Sequence, residues 1–103
     1  MKIKIDPTVE KFIQSLRETT VAKILRTIDL LEKFGNQLGM PHSKKVSKKL
    51  FELRIRGEHE IRIFYCFREG SIYLIHGFIK KSQKIPLKEL KNAERKRNHL
   101  TRI

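Results

Sequence analysis

Leu50 to Lys84 reads LFELRIRGEHEIRIFYCFREGSIYLIHGFIKKSQK. In this stretch Phe51, Leu53 and Ile55 alternate with Glu52, Arg54 and Arg56, and Ile61, Ile63, Tyr65 and Phe67 alternate with Glu60, Arg62, Phe64 and Cys66. Alternation of period two marks half-buried strands, and the almost wholly apolar run Ile72 to Ile79 reads as a third, central strand. Glu69-Gly70 supplies a two-residue hairpin, since glycine accepts the positive φ such turns need. Closing there pairs Phe67 with Ile72, Ile63 with His76 and Arg62 with Gly77, which leaves open space beside Arg62. A symmetric closure of the Gly57–His59 turn sets Arg54 opposite Arg62 and Leu53 opposite Ile63. On this register Glu52, Arg54, Arg62, Phe64, Tyr73 and Lys81 share one face. Leu53, Ile55, Ile61, Ile63, Tyr65, Leu74, His76 and Phe78 share the other. Two opposed arginines repel, so an anion is expected between them.

Outward from this core, the N-terminal Lys2–Ile5 alternation is a short edge strand. Asp6-Pro7 then caps a helix whose Val9, Phe12, Ile13 and Leu16 form one apolar stripe. Glu18-Thr19-Thr20 starts a second helix, with Val21, Ile24, Leu25, Ile28, Leu31 and Phe34 in helical spacing up to a stop at Gly35. The two helices are expected to form an antiparallel hairpin that covers one face of the sheet. Residues 36–49 show no clear period and read as a flexible basic arm. The last segment, from Leu87, has a thin stripe of Leu87, Leu90 and Ala93 and reads as a weakly docked helix.

The chain has 103 residues, enough for one core and one α+β domain over 1–103. Its net charge of +13 and pI near 10.3 fit a protein that meets phosphates or an acidic partner. The excess is concentrated: residues 42–56 hold six cations to one carboxylate, and 80–103 hold nine to two. Lys44, Lys45, Lys48, Lys49, Arg56, Tyr73 and Lys84 are the candidate contacts to RNA or DNA, the lysines and arginine for phosphates and Tyr73 for stacking a base. The lone Cys66 excludes an internal disulfide, and no Cys/His spacing suits a structural zinc site. MKIKIDP turns polar before any apolar region forms, and no run approaches membrane-spanning length. A cytoplasmic protein that needs no metal or cofactor is expected.

LFELRI, the arginine-led strand IRIFY and the run HGFIKKSQKIP together resemble the HigB-like, phage Gp49-related branch of the RelE/ParE toxin superfamily. The similarity spans essentially the whole chain. It implies a RelE-like fold: an N-terminal strand, a two-helix hairpin packed on a small antiparallel sheet, and a C-terminal helix. It also implies a toxin of a type II toxin–antitoxin pair, cutting messenger RNA on the ribosome without a metal, with a helix-turn-helix antitoxin as partner. By matching motifs, the functional positions fall on Arg54, Arg62, Lys80 and Lys81. No tyrosine follows Tyr73, so the C-terminal tyrosine of some RelE members has no counterpart here.

The residues suit that chemistry. Metal-free RNA cleavage needs a base for the 2′-hydroxyl, positive charge at the pentacoordinate phosphorus and an acid for the leaving oxygen. Arg54 and Arg62 would clamp the phosphate, and Lys80 or Lys81 would carry protons. His76 reads as a core histidine, while His42 and His59 lie in loops. Two other function classes share these features: a ParE-like inhibitor of DNA gyrase and a non-catalytic nucleic-acid-binding module.

Overall fold

The structure, a computed structural model, describes residues 1–101. Its elements in chain order are β1 (Lys2–Ile5), α1 (Pro7–Gln14), α2 (Glu18–Phe34), a 3-10 turn (Gly35–Gln37), β2 (Ser43–Ser47), β3 (Leu50–Arg56), β4 (Glu60–Arg68), β5 (Ser71–Lys80) and α3 (Leu87–Thr101). The strands form one sheet in the order β1-β5-β4-β3-β2, antiparallel except for the parallel β1–β5 pair.

The helix starts and stops follow local chemistry. The Asp6 carboxylate accepts from the Thr8 amide at 2.8 Å while Pro7 occupies the first turn, where a missing N–H leaves nothing unsatisfied. At the other end of the pair, α2 stops at Gly35, whose φ of 55° suits glycine. Its N-terminus lies slightly earlier than the Thr-Thr pair suggests, with Arg17 in the capping position.

Both faces of the sheet are covered. Val9 and Ile13 of α1 and Ile24, Ile28 and Leu31 of α2 pack on Leu53, Ile55, Ile61, Ile63, Tyr65, Ile72 and Leu74. On the opposite face Leu50, Phe64, Cys66, Ile75 and Phe78 pack with Ala93 of α3, flanked by Ile85, Leu90 and Leu100. The last helix is better anchored than its thin stripe suggests. Ala93 is fully buried, and Nη1 of Arg97 donates to the Lys48 carbonyl at 2.6 Å. Lys96 Nζ reaches Thr8 Oγ1 at 2.7 Å and Asp6 Oδ1 at 3.9 Å.

Two features depart from the sequence reading. Residues 43–47, expected as part of a flexible arm, form the edge strand β2, pairing Ser43 with Leu53, Lys44 with Glu52 and Lys45 with Phe51. Lysine-rich edges deter pairing with further chains, and the same lysines mask the strand's period.

The second departure concerns register. Arg54 does lie opposite Arg62, Leu53 opposite Ile63 and Phe67 opposite Ile72. Between Phe64 and Tyr65 the β4–β5 ladder shifts: Tyr65 pairs with Leu74 but Phe64 with His76, so Ile75 is the extra residue of a bulge. Gly77 therefore faces Ile63, and Arg62 faces Phe78. The bulge carries His76 and Phe78 to the Arg62 side of the sheet and turns Gly77 toward α1. A Cβ at Gly77 would stand 2.7 Å from Cδ2 of Phe12, so the close approach of α1 requires glycine. The gap that Gly77 was expected to leave beside Arg62 is thus absent.

Candidate active site

At one corner of the α3 side of the sheet, four charged side chains of β3 and β4 converge. Glu52 and Arg54 are two apart on β3, and Glu60 and Arg62 two apart on β4, so strand periodicity points each pair the same way. Opposed pairing then brings all four together. The Glu52 carboxylate lies between the arginines, Oε1 3.5 Å from Nε of Arg54 and Oε2 3.8 Å from Nε of Arg62. Glu60 Oε2 accepts from Nη1 of Arg62 at 3.0 Å and lies 4.0 Å from Nε of Arg56.

Repulsion between the facing arginines called for an anion, and the chain supplies one in Glu52. That carboxylate sits on the expected face. Burial decides what each group can touch. Arg62 is 2% exposed and Glu52 4%, so neither side chain meets a ligand without displacing its neighbours, and the expectation that Arg62 projects into open space is corrected. Nε of Arg62, Nε of Arg54 and Oε2 of Glu52 have no hydrogen-bond partner among the described residues. Charge more than hydrogen bonding therefore holds Glu52 to both arginines, whereas Arg62 also bonds Glu60 and the Ile61 carbonyl. Arg54 is the half-open member: its side chain is 14% exposed, and Nη1 lies 3.2 Å from Sδ of the exposed Met40.

The other candidates divide into two ends of the sheet. Lys80 stands opposite Glu60 at the end of β5, next to the Arg62–Phe78 pair. Lys81 follows β5, Arg56 stands across Glu60 from Lys80, and Lys81, Lys84 and Arg56 are exposed. Lys48, Lys49 and Tyr73 lie toward the opposite end. Tyr73 pairs with Cys66, its hydroxyl 3.3 Å from Lys4 Nζ, and lines a separate cleft with Lys4, Arg95, Lys96 and His99. Lys44 is exposed and paired opposite Glu52, and Lys45 is exposed beside Phe51.

His76 sits on the same face as Arg62, not on the apolar face where it was expected. Its ring stacks with Phe64 and Phe78, and Nε2 lies 3.4 Å from Glu89 Oε2. Burial pushes the imidazole below its ordinary titration range, with Glu89 partly opposing the shift. It lines a polar cleft of about 300 Å³ with Thr8, Asn92, Arg95 and Lys96. The hydroxyls of Tyr65 and Ser43 are hydrogen-bonded in the core, and desolvation pushes the Tyr65 phenol up, with the Ser43 hydrogen bond partly opposing the shift. That tyrosine is a packing residue. Among the described residues no group of three or more His, Cys, Asp or Glu side chains is placed to hold a metal ion, and no helix is long and apolar enough to cross a membrane.

Glu60 and the cations of α3 were not singled out from the sequence. Glu60 could have been, since it shares the parity of Arg62 along β4. The α3 cations carry no such signal, because which of them face the sheet depends on how the helix docks.

Residues 11–98 match the family model described as "Phage derived protein Gp49-like (DUF891)". No curated protein matches the chain. Among solved structures, a chain of the YoeB–YefM complex from Staphylococcus aureus is similar at a TM-score of 0.56 and 20% identity, covering 80% of this chain and 97% of that one. The YoeB dimer from the same organism gives a TM-score of 0.55 at 21% identity, covering 72% and 90%. At that identity the likeness shows a shared RelE-like fold. Together with a family match over residues 11–98, it bears out the resemblance carried by LFELRI and HGFIKKSQKIP: the chain belongs to the phage-derived Gp49-like family.

Proposed function

We propose that this protein is the toxin of a type II toxin–antitoxin pair and cleaves messenger RNA bound to the ribosome, in the cytoplasm. Family membership, the fold shared with YoeB and the net charge of +13 support this reading. The observation that carries it is the Arg54 guanidinium, half-open at the sheet corner and held from behind by the buried Glu52 carboxylate.

In the reaction the 2′-oxygen loses its proton and attacks phosphorus, the P–O5′ bond breaks, and the departing 5′-oxygen takes up a proton. Arg54 meets the phosphate as charge builds there, with its planar fork suited to two oxygens. Arg62 acts through Glu52 and Glu60 and is a positioning residue. Lys80 and Lys81, at the open end of β5, are the candidates to move protons, and exposed Arg56 and Lys84 hold the flanking backbone. The partner is a helix-turn-helix antitoxin.

Purified protein added to ribosomes programmed with a defined message is expected to cut that message. The same protein is expected to leave gyrase supercoiling untouched. Intact message together with blocked supercoiling would overturn the nuclease reading.

A further inference from the structure

The sulfur atoms of this chain belong to Met1, Met40 and Cys66, and the fold places them in different surroundings. Cys66 is 4% exposed, and burial pushes its thiol up, with Arg97 and Arg68 partly opposing the shift. It is closed to an aqueous oxidant and short of the reactive thiolate. Sδ of Met1 lies against Gly35, just past α2 and away from the charged corner. Met40 is 62% exposed, and its Sδ is 3.2 Å from Nη1 of Arg54.

The backbone fixes that meeting. The amides of His42 and Ser43 both donate to the Gly39 carbonyl at 3.0 Å, which closes a turn before β2, and the Arg54 amide donates to the His42 carbonyl at 2.8 Å. The turn that carries Met40 is thus bonded to the residue its side chain covers. Glu52 holds Nε of Arg54 from one side, and the Met40 thioether touches Nη1 on the other. A thioether is a weak acceptor, so in this form the guanidinium readily gives it up for phosphate.

We propose that Met40 is a reversible oxidation site whose sulfoxide holds the Arg54 guanidinium away from phosphate. A lone pair on Sδ attacks one oxygen of hydrogen peroxide, and the O–O bond breaks. The other oxygen leaves as hydroxide, takes the proton of the S–OH cation and becomes water. Sulfur is oxidised by two electrons and peroxide is reduced by the same two. The product carries a polar oxygen on the atom already beside Nη1. A hydrogen bond from a charged guanidinium to that oxygen is of the stronger, charge-assisted kind. Arg54 is then held from both sides, and phosphate must break the new bond to reach it. The loss of cleavage that follows rests on the toxin reading above, whereas the modification and the new bond do not.

The test treats the whole chain with hydrogen peroxide and locates the added oxygen by peptide mass spectrometry. Met40 is expected to gain one oxygen while Cys66 keeps its thiol. The Nε–Hε signal of Arg54 in a nitrogen–proton correlation spectrum is identified by its loss in Arg54→Ala. It is expected to move when wild type is oxidised and to stay in place in Met40→Leu, where Met1 remains as the oxidisable control. On ribosomes, cleavage by the oxidised chain is expected to fall on the order of tenfold. Methionine sulfoxide reductases A and B are expected to restore it, and Met40→Leu to cleave equally well before and after peroxide. An unmodified Met40, an unmoved Arg54 signal in the oxidised chain, or undiminished cleavage by a chain carrying the sulfoxide would each overturn the proposal. Equal loss of cleavage in oxidised Met40→Leu would do the same. A chain that cuts no message before oxidation removes the toxin reading instead, and the Arg54 signal then decides alone whether the sulfoxide bond forms.

Discussion

Oε2 of Glu52 lies 3.8 Å from Nε of Arg62, with both side chains almost fully buried. Removing one partner of a buried ion pair strands the other charge in a poor solvent, at about 3–5 kcal/mol. Arg62→Ala is therefore expected to lower the urea midpoint by that scale, and Glu52→Gln to do so less severely because it keeps the shape. Replacing both together by Met and Leu is expected to recover much of the loss. An Arg62→Ala protein as stable as wild type would show that the pair contributes nothing to the fold.

Arg54→Ala separates chemistry from stability. Its removal leaves the buried Glu52 carboxylate still paired with Arg62, so the melting temperature is expected to move by only a few degrees. Message cleavage is expected to fall on the order of a hundredfold or more, the scale for losing one donor that stabilises transition-state charge. Cleavage at the wild-type rate in single-turnover measurements would take Arg54 out of the site.

His76 gives a pH signature. Its imidazole titrates below the ordinary value near 6.5 in the folded chain because burial disfavours the charged form. As pH falls through about 6.5 the unfolded chain takes up this proton first, so this residue's contribution to stability declines and then levels off below the folded value. His76→Phe keeps a ring between Phe64 and Phe78 and removes the titration. Melting temperatures from pH 8 to 5 are expected to fall more steeply for wild type than for the variant, and parallel curves would contradict the assignment.

Gly77→Ala tests the bulge and the α1 contact at once. The added methyl meets Phe12 at 2.7 Å, and overpacking of this kind costs roughly 1–3 kcal/mol. The same change at Gly39, where a Cβ meets nothing within 4 Å, serves as the control. Equal unfolding midpoints for the two variants would mean that Phe12 yields without strain.

Alternation on both strands and a symmetric closure of the Gly57–His59 turn were enough to reach the observed β3–β4 register, with Arg54 opposite Arg62 and Leu53 opposite Ile63. The sequence did not show the phase of β5. From Ile72 to Ile79 nearly every position is apolar, so a one-residue shift changes no visible pattern while it exchanges His76 and Gly77 between faces. Edge strand β2 was hidden for the opposite reason, since Val46 is its lone apolar residue. Arg62 was placed on the correct face and given the wrong surroundings. Side-chain type argues for exposure, and only the cross-strand distances reveal that Glu52 and Glu60 enclose it.

Strand β1 has a consequence for how the molecule comes into being. Its neighbour in the sheet is β5, with Lys2 beside Ser71 and Ile5 beside Leu74, so the first strand of the sheet in chain order pairs with the last. Vectorial folding from the N-terminus is denied to this topology, because joining ends so far apart in the chain is slow and waits for nearly the whole polypeptide. A nascent chain shorter than β5 has a sheet of at most three strands and no mate for residues 2–5. Folding of arrested chains of increasing length, followed by resistance to protease, is expected to appear abruptly once β5 is free of the ribosome and not in steps before it.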